Sequence, residues 1–144
     1  MAIYEESQEL IGMAQALIDR YDFARHIDVN TVLFLDESET QPKALAKTFS
    51  LHDHPMQFFA TNEFCIVFYR QNIDYFTREQ LQILMAHELM HIPALGHKLI
   101  DHPVKDFPSI LMIDINWAGM NVEVPDLLAP GIAVIDEGDL HGGI

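Results

Sequence analysis

The residues whose types and spacing could carry chemistry lie in one pentapeptide, His87-Glu88-Leu89-Met90-His91. On a helix, positions i and i+4 lie ~40° apart around the axis and ~6 Å apart along it, so both imidazoles can reach one ion. Neutral imidazole is a zinc ligand, and the motif H-E-x-x-H uses its glutamate as a general base. The pattern therefore predicts that His87 and His91 bind Zn²⁺ and that Glu88 takes a proton from a zinc-bound water.

The surrounding sequence predicts that this motif lies on a buried helix. Thr77 is a good N-cap, and Gln80 completes a capping box. From 81 to 92 the residues are apolar nearly all round, which is typical of a buried helix. Two histidines and a glutamate are costly there unless something satisfies them, and a metal ion satisfies all three. The alternative interpretation is two core histidines bonded to carbonyl groups, with Glu88 in an ion pair.

A catalytic zinc usually needs a third protein ligand, and the spacing leaves two candidates open. His97 follows His87 by ten residues, as in H-E-x-x-H-x-x-G-x-x-H, although Ala94 stands where that pattern has glycine. His102 precedes Pro103 at a predicted helix start, from which its ring can point back at the site.

The segment after His102 adds two carboxylates to the candidate site. The predicted helix would continue to residue 113, unless Pro108 makes it begin or kink there. Asp106, one turn after His102, could orient a ligand imidazole from outside the coordination sphere. Asp101 could do the same or could be a surface charge.

Periodicity elsewhere predicts an α+β fold that positions this helix. Apolar residues at helical spacing predict an N-terminal helix over 4–21. Residues 31–35 and 43–51 are predicted strands, and an antiparallel arrangement of the two is one option. Residues 64–69 are apolar on both faces and predict a central strand. We therefore expect the N-terminal helix and the motif helix to pack on a sheet of three or four strands.

Composition narrows the class of protein. The chain has 144 residues, which fits one domain from 1 to 144, and its acidic end from about 130 is predicted to be mobile. The net charge of −14 makes direct nucleic-acid binding unlikely on electrostatic grounds. No stretch approaches the ~18 apolar residues of a membrane span, and the acidic start is unlike a signal peptide. These features predict a cytoplasmic protein with no membrane contact and leave its oligomeric state open.

Cys65 is the single cysteine and is predicted to be a buried thiol.

The other histidines and two tyrosines are weaker candidates. His52 and His54 could bind a metal as His-x-His, but a solvated loop is the favoured interpretation. His26 and His141 are isolated and are predicted to be exposed. Tyr69 or Tyr75 could stabilise an oxyanion by donating a hydrogen bond. The sequence does not place either side chain near the zinc, so the oxyanion-stabilising residue stays unassigned.

The motif and its context resemble one family. His87-Glu88-Leu89-Met90-His91-Ile92, followed by His102-x-Val-x-Asp106-Phe107, resembles the putative phage metallopeptidase family and, more distantly, SprT-like and WLM zinc peptidases. The resemblance extends over roughly residues 27–128 and includes the segments 44–48, 64–68, 76–80, 116–117 and 124–128.

The resemblance implies a fold, an activity and a third ligand. It implies a small zincin-like domain in which His102 completes the Zn²⁺ site, with His97 as the alternative. The implied function is a metallopeptidase that hydrolyses peptide bonds of a peptide or protein substrate, in the bacterial host cytoplasm if the chain is phage-encoded. Two alternatives stay open: a metal-binding, non-catalytic phage protein that sequesters a host partner, and a zinc hydrolase acting on a non-peptide amide.

Overall fold

The computed structural model describes residues 2–52, 62–102, 106–131 and 135. The chain forms, in order, β1 (Tyr4–Glu6), α1 (Gln8–Arg20), β2 (Val32–Glu37), β3 (Ala46–Ser50), β4 (Phe64–Tyr69), α2 (Arg78–Met90) and α3 (Pro108–Leu111). In the described ranges, three short 3₁₀ segments lie between these elements. The fold is α+β, as predicted, with a four-stranded mixed sheet.

The strands lie in the order β1-β2-β4-β3. Strands β2 and β4 are parallel, and Val32 lies opposite Phe64. Strand β3 is antiparallel to β4 and forms one edge of the sheet. The prediction of a central strand at Phe64–Tyr69 is confirmed, because β4 has a neighbour on each side and five of its six residues are buried. Strand β3 runs antiparallel to β2 but is separated from it by β4.

The chain begins differently from the prediction. Residues Tyr4–Glu6 were expected in the first helix, but they form β1 and pair antiparallel with β2. The change from strand to helix occurs at Ser7, whose N–H donates to the Phe34 carbonyl while its Oγ accepts from Leu10 N. This cap starts α1 because it satisfies a backbone donor that has no partner within the helix.

Helix α2 starts where the capping box predicted. Thr77 Oγ1 accepts from Gln80 N at 3.2 Å, and Gln80 Oε1 accepts from Thr77 N at 2.9 Å. The helix packs against α1 and β3. Most of its residues are buried, including Glu88 at 3% exposure. The burial predicted for the motif helix is therefore observed.

Both faces of the sheet are apolar. On one face Phe34, Ile66 and Phe68 join the main core, which also contains the buried residues of α1 and α2. On the other face Cys65 and Val67 form a second, smaller cluster. The prediction that Cys65 is a buried thiol agrees with its 4% exposure, and burial raises its pKa to about 11.

The segment after α2 forms less helix than predicted. The described helix there begins at Pro108, the alternative start that the sequence offered, and has four residues. Proline is favoured at a first helical position because it has no N–H that would need a partner. The predicted tail from about residue 130 lies mostly outside the described residues, although Ile135 is described and is buried. None of the helices in the described ranges has the length and apolar character needed to cross a bilayer.

Candidate metal centre

Three histidines meet at the end of α2. His87 lies in the last turn of the helix, His91 is its C-cap, and His102 reaches the same place from the following segment. One nitrogen from each imidazole lies within 4.8 Å of the nitrogens offered by the other two. All three residues are partly exposed, so a small ligand can reach the cluster from solvent. We call these three residues the histidine cluster.

The carboxylate of Asp106 fixes the first imidazole. His87 Nδ1 lies 2.5 Å from Asp106 Oδ1. The same carboxylate accepts from Trp117 Nε1 at 2.8 Å and from Phe107 N at 2.7 Å. Burial alone would raise the pKa of Asp106, but these hydrogen bonds and the charge of His87 lower it overall. The carboxylate is therefore ionised and can only accept, so Nδ1 of His87 carries a hydrogen.

A backbone carbonyl fixes the second imidazole in the same way. His91 Nδ1 lies 2.6 Å from the carbonyl oxygen of Ile100. A carbonyl only accepts, so Nδ1 of His91 must donate. Burial is the main effect on this ring, and it lowers the pKa of His91. The neutral ring therefore has an unprotonated Nε2.

The two Nε2 atoms face each other. His87 Nε2 and His91 Nε2 are 3.3 Å apart. Two nitrogens bound at ~2.0–2.1 Å to a tetrahedral ion lie about 3.3–3.4 Å apart, so this spacing fits zinc. Without a positive centre between them, two lone pairs would repel each other. A proton on His87 can fill that place, since Asp106 and Glu88 outweigh the effect of burial and raise the pKa of His87.

The third imidazole has an unsatisfied nitrogen. His102 Nδ1 is buried and has no hydrogen-bond partner among the described residues. A buried polar atom without a partner costs about 1–3 kcal/mol, and a bound ligand is one way to offset that cost. Phe107 packs edge-on against all three imidazoles of the cluster, with ring centroids 5.0–5.4 Å apart. The donor set and its apolar support fit a metal ion.

Glu88 lies beside the histidine cluster with its two oxygens in different environments. Thr48 Oγ1, on β3, donates to Glu88 Oε1 at 2.9 Å. Glu88 Oε2 lies 3.6 Å from His87 Nε2 and faces the cluster. Burial raises the pKa of Glu88, and the opposing effects of His87 and Thr48 do not cancel the rise. A carboxylate in this position is suited to take up and release a proton.

A cavity of about 540 Å³ opens beside these groups. Among the residues that line it are Glu88 and two members of the cluster, His87 and His102. Its volume is within the range of small-molecule and peptide subsites, which is ~300–1,000 Å³. The candidate chemistry and a space for a substrate therefore coincide.

Hydrogen bonds from two side chains hold the loop that carries Trp117. Gln80 Nε2 donates to the carbonyls of Trp117 at 3.0 Å and Gly119 at 2.8 Å. Tyr75 Oη donates to the carbonyl between them, that of Ala118, at 2.7 Å. Three successive carbonyls are thus fixed, and with them the indole that contacts Asp106. The sequence offered the Tyr75 hydroxyl as a possible donor to an oxyanion. In the structure this hydroxyl donates to the Ala118 carbonyl.

The alternative third ligand lies apart from the histidine cluster. His97 stacks on His52, with ring centroids 4.1 Å apart, and does not belong to the group of three. Asp101 is exposed. Its charge acts to raise the pKa of His91 but does not reverse the lowering that burial causes. His26 is exposed, and its Nε2 contacts the carbonyl of Ile92. The remaining histidines, His54 and His141, lie outside the described residues.

The chain matches the model of one family, described as putative phage metallopeptidase, over residues 2–129. Because the match covers most of the 144 residues, the protein belongs to this family, and the predicted resemblance is confirmed. No curated protein and no solved structure matches the chain. The family description and the histidine cluster together support a metal-binding protein.

Proposed function

We propose that this protein is a zinc-dependent peptidase in which His87, His91 and His102 bind the metal and Glu88 is the general base. The observation that carries the proposal is the pair of facing Nε2 atoms, 3.3 Å apart, beside a glutamate oxygen that faces them. Three protein ligands that leave one position open are typical of catalytic rather than structural zinc. Membership of the family supports the same activity.

The side chains of the site divide the work of hydrolysis. When bound, zinc polarises a carbonyl group and makes water acidic enough to lose a proton near neutral pH. Glu88 takes that proton at Oε2 and afterwards gives it to the leaving amine. Thr48 keeps Oε1 engaged and so turns Oε2 towards the cluster. Asp106 holds His87 in the tautomer whose Nε2 can bind metal.

Among the described residues no strand pairs with the outer edge of β3, and this edge can hold the substrate in an extended conformation. On either side of β3, the Leu45 carbonyl accepts from Tyr69 N at the end of β4, and Leu51 N donates to the carbonyl of Glu63, the residue before β4. Because such pairs alternate along an antiparallel ladder, the backbone groups of Ala46, Thr48 and Ser50 face away from β4. Thr48 also contacts Glu88, so a peptide added at this edge would pass next to the general base.

The proposal is tested by removing and restoring the metal. Protein stripped with a chelator should not cleave an unfolded protein substrate, and added Zn²⁺ should restore cleavage in proportion to the zinc bound. Mg²⁺, which prefers oxygen ligands, is the matched control and should not restore it. Zinc binding without cleavage would instead identify a metal-dependent binding protein. Failure to bind zinc would contradict the proposal altogether.

Trp117 is expected to tune the metal site through Asp106. In Trp117→Phe the ring remains but the 2.8 Å hydrogen bond to Asp106 Oδ2 is lost. The carboxylate should then orient His87 less firmly, and zinc affinity should fall by about 10–100-fold. Competition with a chromogenic chelator measures this affinity directly, without using activity.

A second variant separates this effect from a general loss of structure. Asp106→Asn keeps the size of the side chain but removes its charge, and it should weaken zinc binding at least as much as Trp117→Phe. Circular dichroism of both metal-free variants checks that they fold. Wild-type zinc affinity in a folded Trp117→Phe protein would show that the indole does not act on the metal site.

A further inference from the structure

The cavity beside the histidine cluster is mainly apolar. Its lining includes the side chains of Leu45, Leu84, Leu111, Ile115 and Trp117. These residues come from four parts of the chain, so the apolar surface does not belong to one amphipathic element. Apolar cavities with a few polar groups are typical of sites that bind a ligand by its hydrophobic part and orient it by the polar groups.

Ile115 exposes apolar surface at this cavity. It is 73% exposed, although it lines the same space as Glu88 and His102. Together with the apolar lining of the cavity, this side chain forms apolar surface beside a candidate reactive site, and such surface indicates a region that becomes covered when a partner binds. The cavity is continuous with the proposed catalytic site, which makes the substrate the partner.

The part of the cavity wall formed by residues 117–119 is preformed. The hydrogen bonds of Gln80 and Tyr75 to three successive carbonyls fix residues 117–119. Trp117 is also fixed at its indole nitrogen by Asp106. Because the backbone and the indole are already held in place, a ligand does not have to order this wall when it binds. The free energy gained by burying an apolar group against the wall is therefore not reduced by an ordering cost.

The charges of the lining disfavour an acidic ligand. Among the described residues that line the cavity there is no lysine or arginine. Two carboxylates, those of Glu88 and Asp106, do line it. An acidic substrate side chain would lose water here without gaining a lysine or arginine partner, and it would face the two carboxylates.

We propose that this cavity binds one large apolar side chain of the substrate next to the scissile bond, and that Ile115 helps to set this preference. The inference rests on the proposed peptidase function. It predicts cleavage beside leucine, isoleucine, methionine or phenylalanine, and little cleavage where serine or glutamate takes their place.

The first experiment measures binding without turnover. Zinc-loaded Glu88→Gln protein is titrated with labelled peptides that differ at one position in an alanine-glycine background. Peptides with leucine or phenylalanine should bind about tenfold or more tightly than those with serine or glutamate, as expected for a hydrophobic pocket. Equal binding of all four peptides would overturn the inference. Discrimination by this variant, with no cleavage by the wild type, would overturn the peptidase function while leaving the apolar site in place.

The second experiment uses a matched pair of exposed residues. In Ile115→Lys a cation enters the cavity lining, so the preference for leucine over glutamate should fall about tenfold or more. Met120→Lys makes the same change at a similarly exposed residue that does not line the cavity, and it should keep the wild-type preference. Cleavage sites in a digested peptide library give the preference of each protein. The same shift in both variants, or in neither, would contradict the role of Ile115.

Discussion

Replacing Glu88 with glutamine should lower kcat for peptide hydrolysis by about 10²–10⁴-fold while zinc stays bound. Glutamine has nearly the same shape, and its amide oxygen can still accept the hydrogen bond that Thr48 Oγ1 donates to Oε1. The group that replaces Oε2, 3.6 Å from His87 Nε2, can no longer take a proton. Nothing that fixes His87 or His91 is removed, so the metal ligands keep their geometry.

Initial rates and zinc content, measured on the same preparations, test this expectation. Glu79→Gln is the matched control, because it removes the same charge from the first turn of the same helix. It should keep the wild-type rate and lose only the ~0.3–1 kcal/mol of stability that an acidic residue gives to a helix N-terminus. A Glu88→Gln protein with full activity would exclude Glu88 as the base. Loss of zinc in that variant would indicate that Glu88 is a ligand.

The motif helix could be predicted because its signals are local. Thr77 and Gln80 are three residues apart, and their reciprocal hydrogen bonds depend on nothing outside the first turn. The central strand was equally clear, because a run that is apolar on both faces must be covered on both. The motif helix carries Glu88 and the first two histidines, so three of the four proposed site residues could be placed from the sequence.

Elements that depend on distant pairing could not be predicted. Tyr4–Glu6 carries acidic residues that suit the first turn of a helix, but antiparallel pairing with β2 outweighs that local preference. Thr48 lies 40 residues before Glu88 in the chain, and nothing in its own segment indicates the contact. The hydrogen bond from Trp117 to Asp106 could not be predicted for the same reason. It depends on contacts with Asp106 and with the Gln80 side chain, which lie far from Trp117 or outside its own segment in the sequence.

Sequence spacing alone could not decide which histidine is the candidate third ligand. His97 and His102 were both compatible with the sequence, because the path of the chain between 91 and 102 decides which ring returns to α2. The structure brings His102 to the cluster and stacks His97 on His52. The hydrogen bond from Ile100 N to the His91 carbonyl, at 2.7 Å, folds that path back onto the helix end. A contact of this kind has no signature in the residue types.

His102→Ala should therefore abolish stoichiometric zinc binding, whereas His97→Ala should leave it unchanged. Losing one of three protein ligands should weaken zinc binding by more than the ~10–100-fold that loss of an outer partner costs. The comparison is matched, because among the described residues neither histidine has a hydrogen-bond partner for its buried Nδ1, yet of the two only His102 offers a nitrogen within 4.8 Å of those of His87 and His91.

Zinc content after dialysis against a weak chelator distinguishes the two assignments. His91→Ala serves as the positive control and should lose the metal, since it removes one of the two facing Nε2 atoms. If His97→Ala loses zinc and His102→Ala keeps it, the ligand set proposed here is wrong, and the segment between 91 and 102 must rearrange when the metal binds. If both keep it, His102 is not a ligand and the ion is held by His87, His91 and a carboxylate, for which Glu88 is a candidate because its Oε2 lies 3.6 Å from His87 Nε2.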